Sequence, residues 1–458
     1  MSAVADRQAK LSRTLTKLDR TALKALGKDV AAASAACALS YTSDDGATKT
    51  MPILLAPALL GKADATYLHD LVLALYGAVQ KTAAARLVDP EVRAILPMDP
   101  REEAWLRLAP VTPAPLIGRF DMNIDPTKGA RHAQVLEFNG CAIGGLHYGP
   151  AASSTILSRV VPLGTAKLSM PGSMTDAWLD HCRAHKAALG RAGDSLHVVW
   201  LEDRAWETGI TEGPTLVERL TREGHRAAVC DPRDLELVDG EVCHRGVPID
   251  IAYRAIELRD LLAIEDESGV ESLDVMREAV KQNLVLSPLS GDLDHKSLLE
   301  IWSSKRFARL FSPAERKLLA RHVLWTRLVT DRRTDDMNGR DVDLGKYVRA
   351  NKNKLVLKPI RACGGEGILI GKDTPHRVWD RAVKRSLSGK EPAVAQQYIK
   401  GATIDSPVVR GTRIFHEKHF TNFGLFASPR TLGVLGRAAP FPVVNVSRGG
   451  GVLAVLLT

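Results

Sequence analysis

The chain has 458 residues, 45% of them apolar and 25% charged, with 62 Lys+Arg against 53 Asp+Glu for a formal net charge of +9. These values exclude global disorder, a collagen-like fibre and a disulfide-stapled miniature, and at ~100–200 residues per domain the length suggests two to four domains. The basic excess is small, acids are interspersed with bases, and aromatics are only 5%, so a solvated mixed surface accounts for the charge better than nucleic-acid binding does.

Cys37, Cys141, Cys182, Cys230, Cys243 and Cys363 are scattered without a C-x-x-C pair, which predicts a reduced, cytoplasmic chain with no cysteine-based zinc site. No run of ~18 apolar residues is read, and MSAVADRQAKLSR lacks the apolar core of a signal peptide, so no membrane segment is expected.

In chain order, residues 4–90 read as helical. Leu11, Leu15, Leu18, Leu23 and Leu26 recur near helical spacing, and 67–88 reads as a further amphipathic or buried helix. Over 111–150, LIGRFDMNID and HAQVLEFNG alternate around the turn-rich DPTKGA, a β-hairpin, and GCAIGGLHYGP follows as a Gly-rich loop. A helix over 174–192 ends near Gly190. The buried strand LHVVWLED then leads into helix and strand within TEGPTLVERLTREGHRAAVCDP, a βαβ pattern. LVDGEVCHRGVPIDIAYR adds a turn and two strands, which predicts a small three-layer α/β domain at about 194–285 without a G-x-G-x-x-G dinucleotide motif. Residues 294–330 read as helical, with Leu298, Leu299 and Trp302 on one stripe, and DRRTDDMNGRDVD reads as a charged linker. Next come LVLKPI as a strand, ACGGEG as a Gly-rich turn, ILIG as a strand, a helix around 375–388, the strand PAVAQQYI and a run of short strands.

Opposite residues of an antiparallel pair have a constant number sum, and pairing Asp121 with Glu137 also pairs Arg119 with Asn139. With no bulge between them, these four side chains share a face. Asp, Glu and an Asn carbonyl are hard oxygen donors suited to Mg²⁺, and Arg119 suits phosphate oxygens. The solvent face of an amphipathic hairpin is the alternative. Lys358, with Gly364, Gly365 and Gly367 behind it, can place a compact charge and backbone N–H groups against a polyphosphate. The loop lacks the Gly-Lys-Ser/Thr of a Walker A motif, and an ordinary Gly-rich hairpin is its alternative. Gln396 and Gln397 end a strand beside this unit, where they can read an adenine edge. Lys296 precedes a helix and can reach phosphates. Arg437, Asn445 and Arg448 can add phosphate or substrate contacts. His181 and His185 at i, i+4, and His416 and His419 at i, i+3, lack the carboxylates of a zinc enzyme and read as packed or solvated.

Taken together, Arg119-Phe120-Asp121, Glu137-Phe138-Asn139, Lys296 in HKSLLEIW, Lys358-Pro359 with Gly364-Gly365-Glu366-Gly367, and Gln396-Gln397 resemble the motifs of the circularly permuted ATP-grasp ligases, whose relatives include glutathionylspermidine synthase. The resemblance runs from about 105 to 451. It departs after Asn139, where Gly140, Cys141, Ala142 and Ile143 replace the acid, Thr and Pro frequent in that family, so the family's best-known substrates do not carry over.

The resemblance implies an α/β protein of α+β lobes. A helical N-terminal region covers 1–104, the metal-binding hairpin and Gly-rich loop 105–193, a pre-ATP-grasp α/β domain 194–285, and the nucleotide-binding domain 286–458. It implies that Lys296, Lys358 and the Gly364–Gly367 loop with Glu366 hold ATP, with Gln396 or Gln397 at the adenine. Asp121, Glu137 and Asn139 hold one or two Mg²⁺, and Arg119 steadies an acylphosphate. The implied activity is ATP-dependent joining of a small-molecule carboxylate to an amine, releasing ADP and phosphate. An ATP-grasp small-molecule kinase and a non-catalytic nucleotide- or nucleic-acid-binding protein are the alternatives.

Overall fold

A computed structural model describes residues 3–42, 46–110, 115–164, 167–205, 212–362, 364–410, 413–446 and 449–458. The N-terminal helices are Ala3–Thr16 and Arg20–Ala36, the second capped by Asp19, whose side chain accepts from Ala22 N at 2.8 Å. The stretch after them is not wholly helical. Short strands form at Ser40–Thr42, Thr48–Thr50 and Ala58–Leu60, and the last runs parallel to Val455–Leu457. Its partner is remote in sequence, so local periodicity gave no sign of it.

The 27-residue helix Lys62–Val88 is rich in apolar residues, with Lys62, Asp70 and Lys81 exposed. By length and composition it is long and apolar enough to cross a membrane, as a buried core helix also is. Here Leu68, Leu71, Val72, Leu75 and Val79 are buried in the central core. Tyr76 Oη donates to Gly118 O at 2.5 Å, anchoring the helix to the lead-in of the hairpin.

That hairpin belongs to a six-stranded sheet in the order Gly451–Leu453, Leu432–Ala439, Arg413–Ala427, Arg119–Asn123 and Gln134–Asn139, with Thr403–Arg410 also paired to Arg413–Ala427. Arg119 pairs with Asn139 and Asp121 with Glu137, the register given by the constant sum. A bulge follows Asp121, on the turn side of the four polar residues, so Met122 faces Val135. Phe120 and Met122 fill the opposite face, and Phe120 packs against Phe138 with ring centroids 4.8 Å apart.

A second, antiparallel sheet runs Thr326–Leu328, Ala393–Gln397, Leu355–Pro359, Leu369–Ile370. Trp325, Leu355, Leu357, Trp379 and Val383 form its core against helices Leu344–Ala350 and His376–Leu387. Residues 326–328, read as helical, are therefore a strand. The charged segment after them is no linker: Arg333–Asp335 pairs with Asp341–Asp343. Buried Arg327 is neutralised by Asp335 at 2.6 Å, so a charge-rich sequence is drawn into structure.

The third sheet is parallel, in the order Val285–Leu286, Ile251–Arg254, His197–Leu201, Arg226–Cys230. All five residues of His197–Leu201 are buried, as expected of a strand covered on both faces. The chain steps outward to Arg226–Cys230, then crosses back to Ile251–Arg254, which opens a crevice between the carboxyl ends of the two central strands. In between, the anticipated turn and two strands resolve into a meander, Glu236–Val238, Glu241–His244 and Val247–Pro248, leading to Ile251–Arg254.

Candidate nucleotide cleft

The first two sheets meet at one cleft. Arg119, Asp121, Glu137, Asn139 and Arg437 line it from the first sheet, Lys358, Gln396 and Gln397 from the second, and Lys296, Gly364, Gly365 and Asn445 from the segments between and after. The hairpin's polar face is thus turned into a cleft rather than to open solvent. Lys358 Nζ crosses it to donate to Leu136 O at 3.2 Å. Lys296 Nζ donates to Ala362 O at 2.6 Å and stands 3.6 Å from Glu137 Oε2.

Burial governs the electrostatics. Desolvation pushes the Lys358 ammonium down to about 8, with Lys296 adding repulsion and Glu137 opposing both. Asp121 is 1% exposed. Burial alone would raise its carboxyl, yet Arg119 and Arg437 together hold it well below the usual carboxylate range. Arg119 Nε donates to Asp121 Oδ1 at 2.7 Å and Nη2 to Oδ2 at 3.2 Å, while Arg437 Nη2 donates to the same Oδ2 and to Asn422 Oδ1 at 3.1 Å. For Arg119, too, burial opposes the charge and the Asp121 carboxylate outweighs it. Arg437 Nε is buried with no hydrogen-bond partner among the described residues, a donor left available in the cleft wall.

The Gly-rich turn has φ of +62° at Gly364, +77° at Gly365 and +66° at Gly367, where side chains are strained. Asn445 Nδ2 donates to Gly364 O at 2.7 Å and ties the turn to the C-terminal segment. Glu366 and Gly367 are exposed and are not among the residues that line the cleft. The two glutamines differ. Gln396 is 2% exposed and its amide donates to Thr326 Oγ1 at 3.2 Å, whereas Gln397 is only partly buried. Val356, Ile368, Ile370 and Leu324 line an apolar slot beside them. Arg448, and with it Cys363, lies outside the described residues.

Can these donors hold a divalent cation? Among the described residues no three His, Cys, Asp or Glu side chains form a metal cluster. Asp121 has three of its lone-pair sites on arginines, which leaves one on Oδ1. Asn139 Nδ2 donates to Arg119 O at 3.3 Å and so keeps its carbonyl oxygen available. Glu137 carries the least encumbered carboxylate. Two carboxylates and a carbonyl fit Mg²⁺, which takes few protein ligands and completes its shell with phosphate oxygens and water. The histidines do not compete. His181 and His185 are buried against Ala427 O at 3.0 Å and Asn283 O at 2.6 Å, and burial pushes both below the usual imidazole range.

Two features of the site escaped the sequence reading. Asp294 lines the cleft, accepts from Gly140 N and is raised by burial beside Asp292 and Glu257. Its spacing of two from Lys296 was the available signal. Gly140, where the motif pattern departs from the resembled family, lies against another backbone: a Cβ there would come within 1.7 Å of Gly291 O.

No family model matches the chain, and no curated protein matches it. Solved structures do. A glutathione synthetase-like effector from Globodera pallida, in its apo form, superposes with a TM-score of 0.67 at 10% identity, over 96% of this chain and 98% of that one. A RimK domain ATP-grasp protein from Sphaerobacter thermophilus matches 55% of this chain and 91% of its own at 15% identity, with a TM-score of 0.26, too low to carry an argument. The chain therefore shares the overall fold of that glutathione synthetase-like effector.

Proposed function

We propose that this protein is an ATP- and Mg²⁺-dependent carboxylate–amine ligase that forms an amide bond through an acylphosphate. One observation supports the reading: the oxygen donors of the first sheet, Lys358 of the second and Lys296 between them line a single cleft, with Lys358 Nζ donating to Leu136 O across it. On this reading the strand order is that of a circularly permuted ATP-grasp ligase, with 105–193 and 286–458 forming the catalytic lobes, 194–285 the pre-ATP-grasp domain and 1–104 a largely helical N-terminal region.

The apolar slot of Val356, Ile368 and Ile370 takes the adenine. Gln397 and the backbone after it read its edge, since the Gln396 amide is committed to Thr326. Lys296 and Lys358 hold the phosphates, and the backbone of Gly364 and Gly365 covers them. Glu137, Asn139 and the remaining oxygen site of Asp121 hold one or two Mg²⁺, which would neutralise charge on the phosphate oxygens. Arg119, with Arg437 beside it, steadies the γ-phosphoryl group while a substrate carboxylate oxygen attacks phosphorus and the bond to ADP breaks. A neutral amine then attacks the acyl carbon, phosphate leaves, and the surplus proton departs with it. Positioning and fixed charge supply the catalysis.

A phosphate-release screen over pairs of carboxylates and amines, with mass detection of the product, tests the proposal. ADP and amide must appear together and only when both substrates are present. ADP formed with a hydroxyl acceptor alone would establish a kinase instead.

A further inference from the structure

Glu212 is 5% exposed, and its carboxylate collects four consecutive backbone N–H groups. Oε2 accepts from Gly145 at 2.7 Å and Leu146 at 3.2 Å, and Oε1 accepts from His147 at 2.6 Å and Tyr148 at 3.0 Å. These amides open the Tyr148–Arg159 helix, whose N-terminus favours an anion. Glu212 itself immediately precedes the Gly213–Arg222 helix, the next helix after His197–Leu201, at the crevice where open α/β sheets place ligands. Here the chain's own Gly-rich loop occupies that place, and Cys141 Sγ meets Ile256 O at 3.1 Å.

The consequence lies one atom pair away. The N–H of Gly145 and the C=O of Gly144 are the two ends of one planar peptide unit. Glu212 holds the N–H end. The C=O end accepts from Arg119 Nη1 at 2.6 Å, while the other guanidinium nitrogens hold Asp121. A carboxylate on the amide hydrogen polarises the peptide and strengthens its carbonyl as an acceptor. Only glycine suits the position: Gly145 has φ +107°, and a Cβ there would lie 2.7 Å from Leu435 Cδ2.

We propose that Glu212 is a positioning residue for Arg119, acting through the single Gly144–Gly145 peptide unit. This rests on the ligase reading, in which Arg119 faces the γ-phosphoryl group, the one group ATP has and ADP lacks.

Calorimetric titration of the full chain with Mg·ATP and with Mg·ADP tests it. The wild type should bind ATP more tightly. Glu212→Gln, which offers one acceptor oxygen to four donors, should leave ADP affinity within about twofold and cut the preference for ATP about tenfold. A purely structural role would lower the melting temperature and leave that preference alone. Arg119→Lys should cut the preference similarly, and the double variant should lose no more than Arg119→Lys, because both changes act on one guanidinium. Equal wild-type affinities, an unchanged preference in Glu212→Gln, or additive losses overturn the positioning role. If Glu212→Gln does not fold, Glu212→Asp, which withdraws the charge by one methylene, should cut the preference about threefold, and no loss overturns the proposal. Absence of Mg·ATP binding by the wild type overturns the ligase reading itself.

Discussion

Lys358 is a charge the unliganded protein would be more stable without. Its ammonium is buried, pushed from an ordinary 10.5 down to about 8 by desolvation first and by Lys296 second. In the unfolded chain the same group keeps its proton up to about 10.5. Between about 8 and 10.5 the unfolded state therefore binds more protons than the native state, and stability rises with pH across that window. Below pH 8 the penalty is present in full: 2.303RT times the difference between 10.5 and about 8 is about 3 kcal/mol. Lys358→Met removes it and gives up the hydrogen bond to Leu136 O, a loss of about 1 kcal/mol. The variant should gain about 2 kcal/mol at pH 7, and the gain should vanish as pH approaches 10.5. Urea unfolding followed by tryptophan fluorescence at pH 7 and pH 10 measures both values. A variant no more stable than wild type at pH 7, with an unchanged denaturant slope, would refute the reasoning. The wild type should show the complementary effect on binding: a triphosphate favours the charged amine, so Mg·ATP binding above pH 8 should take up close to one proton, read from titrations in buffers of different ionisation enthalpy.

Three further outcomes are expected. Glu137→Gln keeps the side chain's size but removes the least encumbered carboxylate, so nucleotide binding should persist while its dependence on Mg²⁺ disappears, as titration with and without the metal will tell. Asp121→Asn leaves two buried guanidiniums without their shared anion and should destabilise the protein by about 3–5 kcal/mol, measured as a fall in melting temperature. Gly365→Ala forces a Cβ to 2.3 Å from Val443 Cγ1 at a φ of +77° and should cost about 1–2 kcal/mol, with weaker Mg·ATP binding and little effect at the first sheet.

The parts legible in the sequence were those fixed by near neighbours. The 119–139 hairpin could be aligned to the residue because its two strands are close in the chain and their alternation restricts the register. The βαβ unit was equally local. What stayed hidden depends on distant partners. Thr326–Leu328 becomes a strand only beside Ala393–Gln397, and Ala58–Leu60 only beside Val455–Leu457. Arg327 and Asp335 look like surface charges until the fold buries the arginine. Glu212 sits in a segment with no motif, and its role becomes visible only once the Gly145–Tyr148 amides converge on it.

The strand bearing Arg119 and Asp121 lies between Gln134–Asn139 and Arg413–Ala427, so one flank comes from the adjoining stretch of chain and the other from a stretch synthesised much later. A ribosome making this protein releases the hairpin long before its second neighbour exists. Until then that flank is an open row of amides and carbonyls, a template for misassociation. Folding should accordingly be slow and governed by this late pairing, and chaperone dependence should track the delay between translating the two segments rather than the stability of the finished molecule.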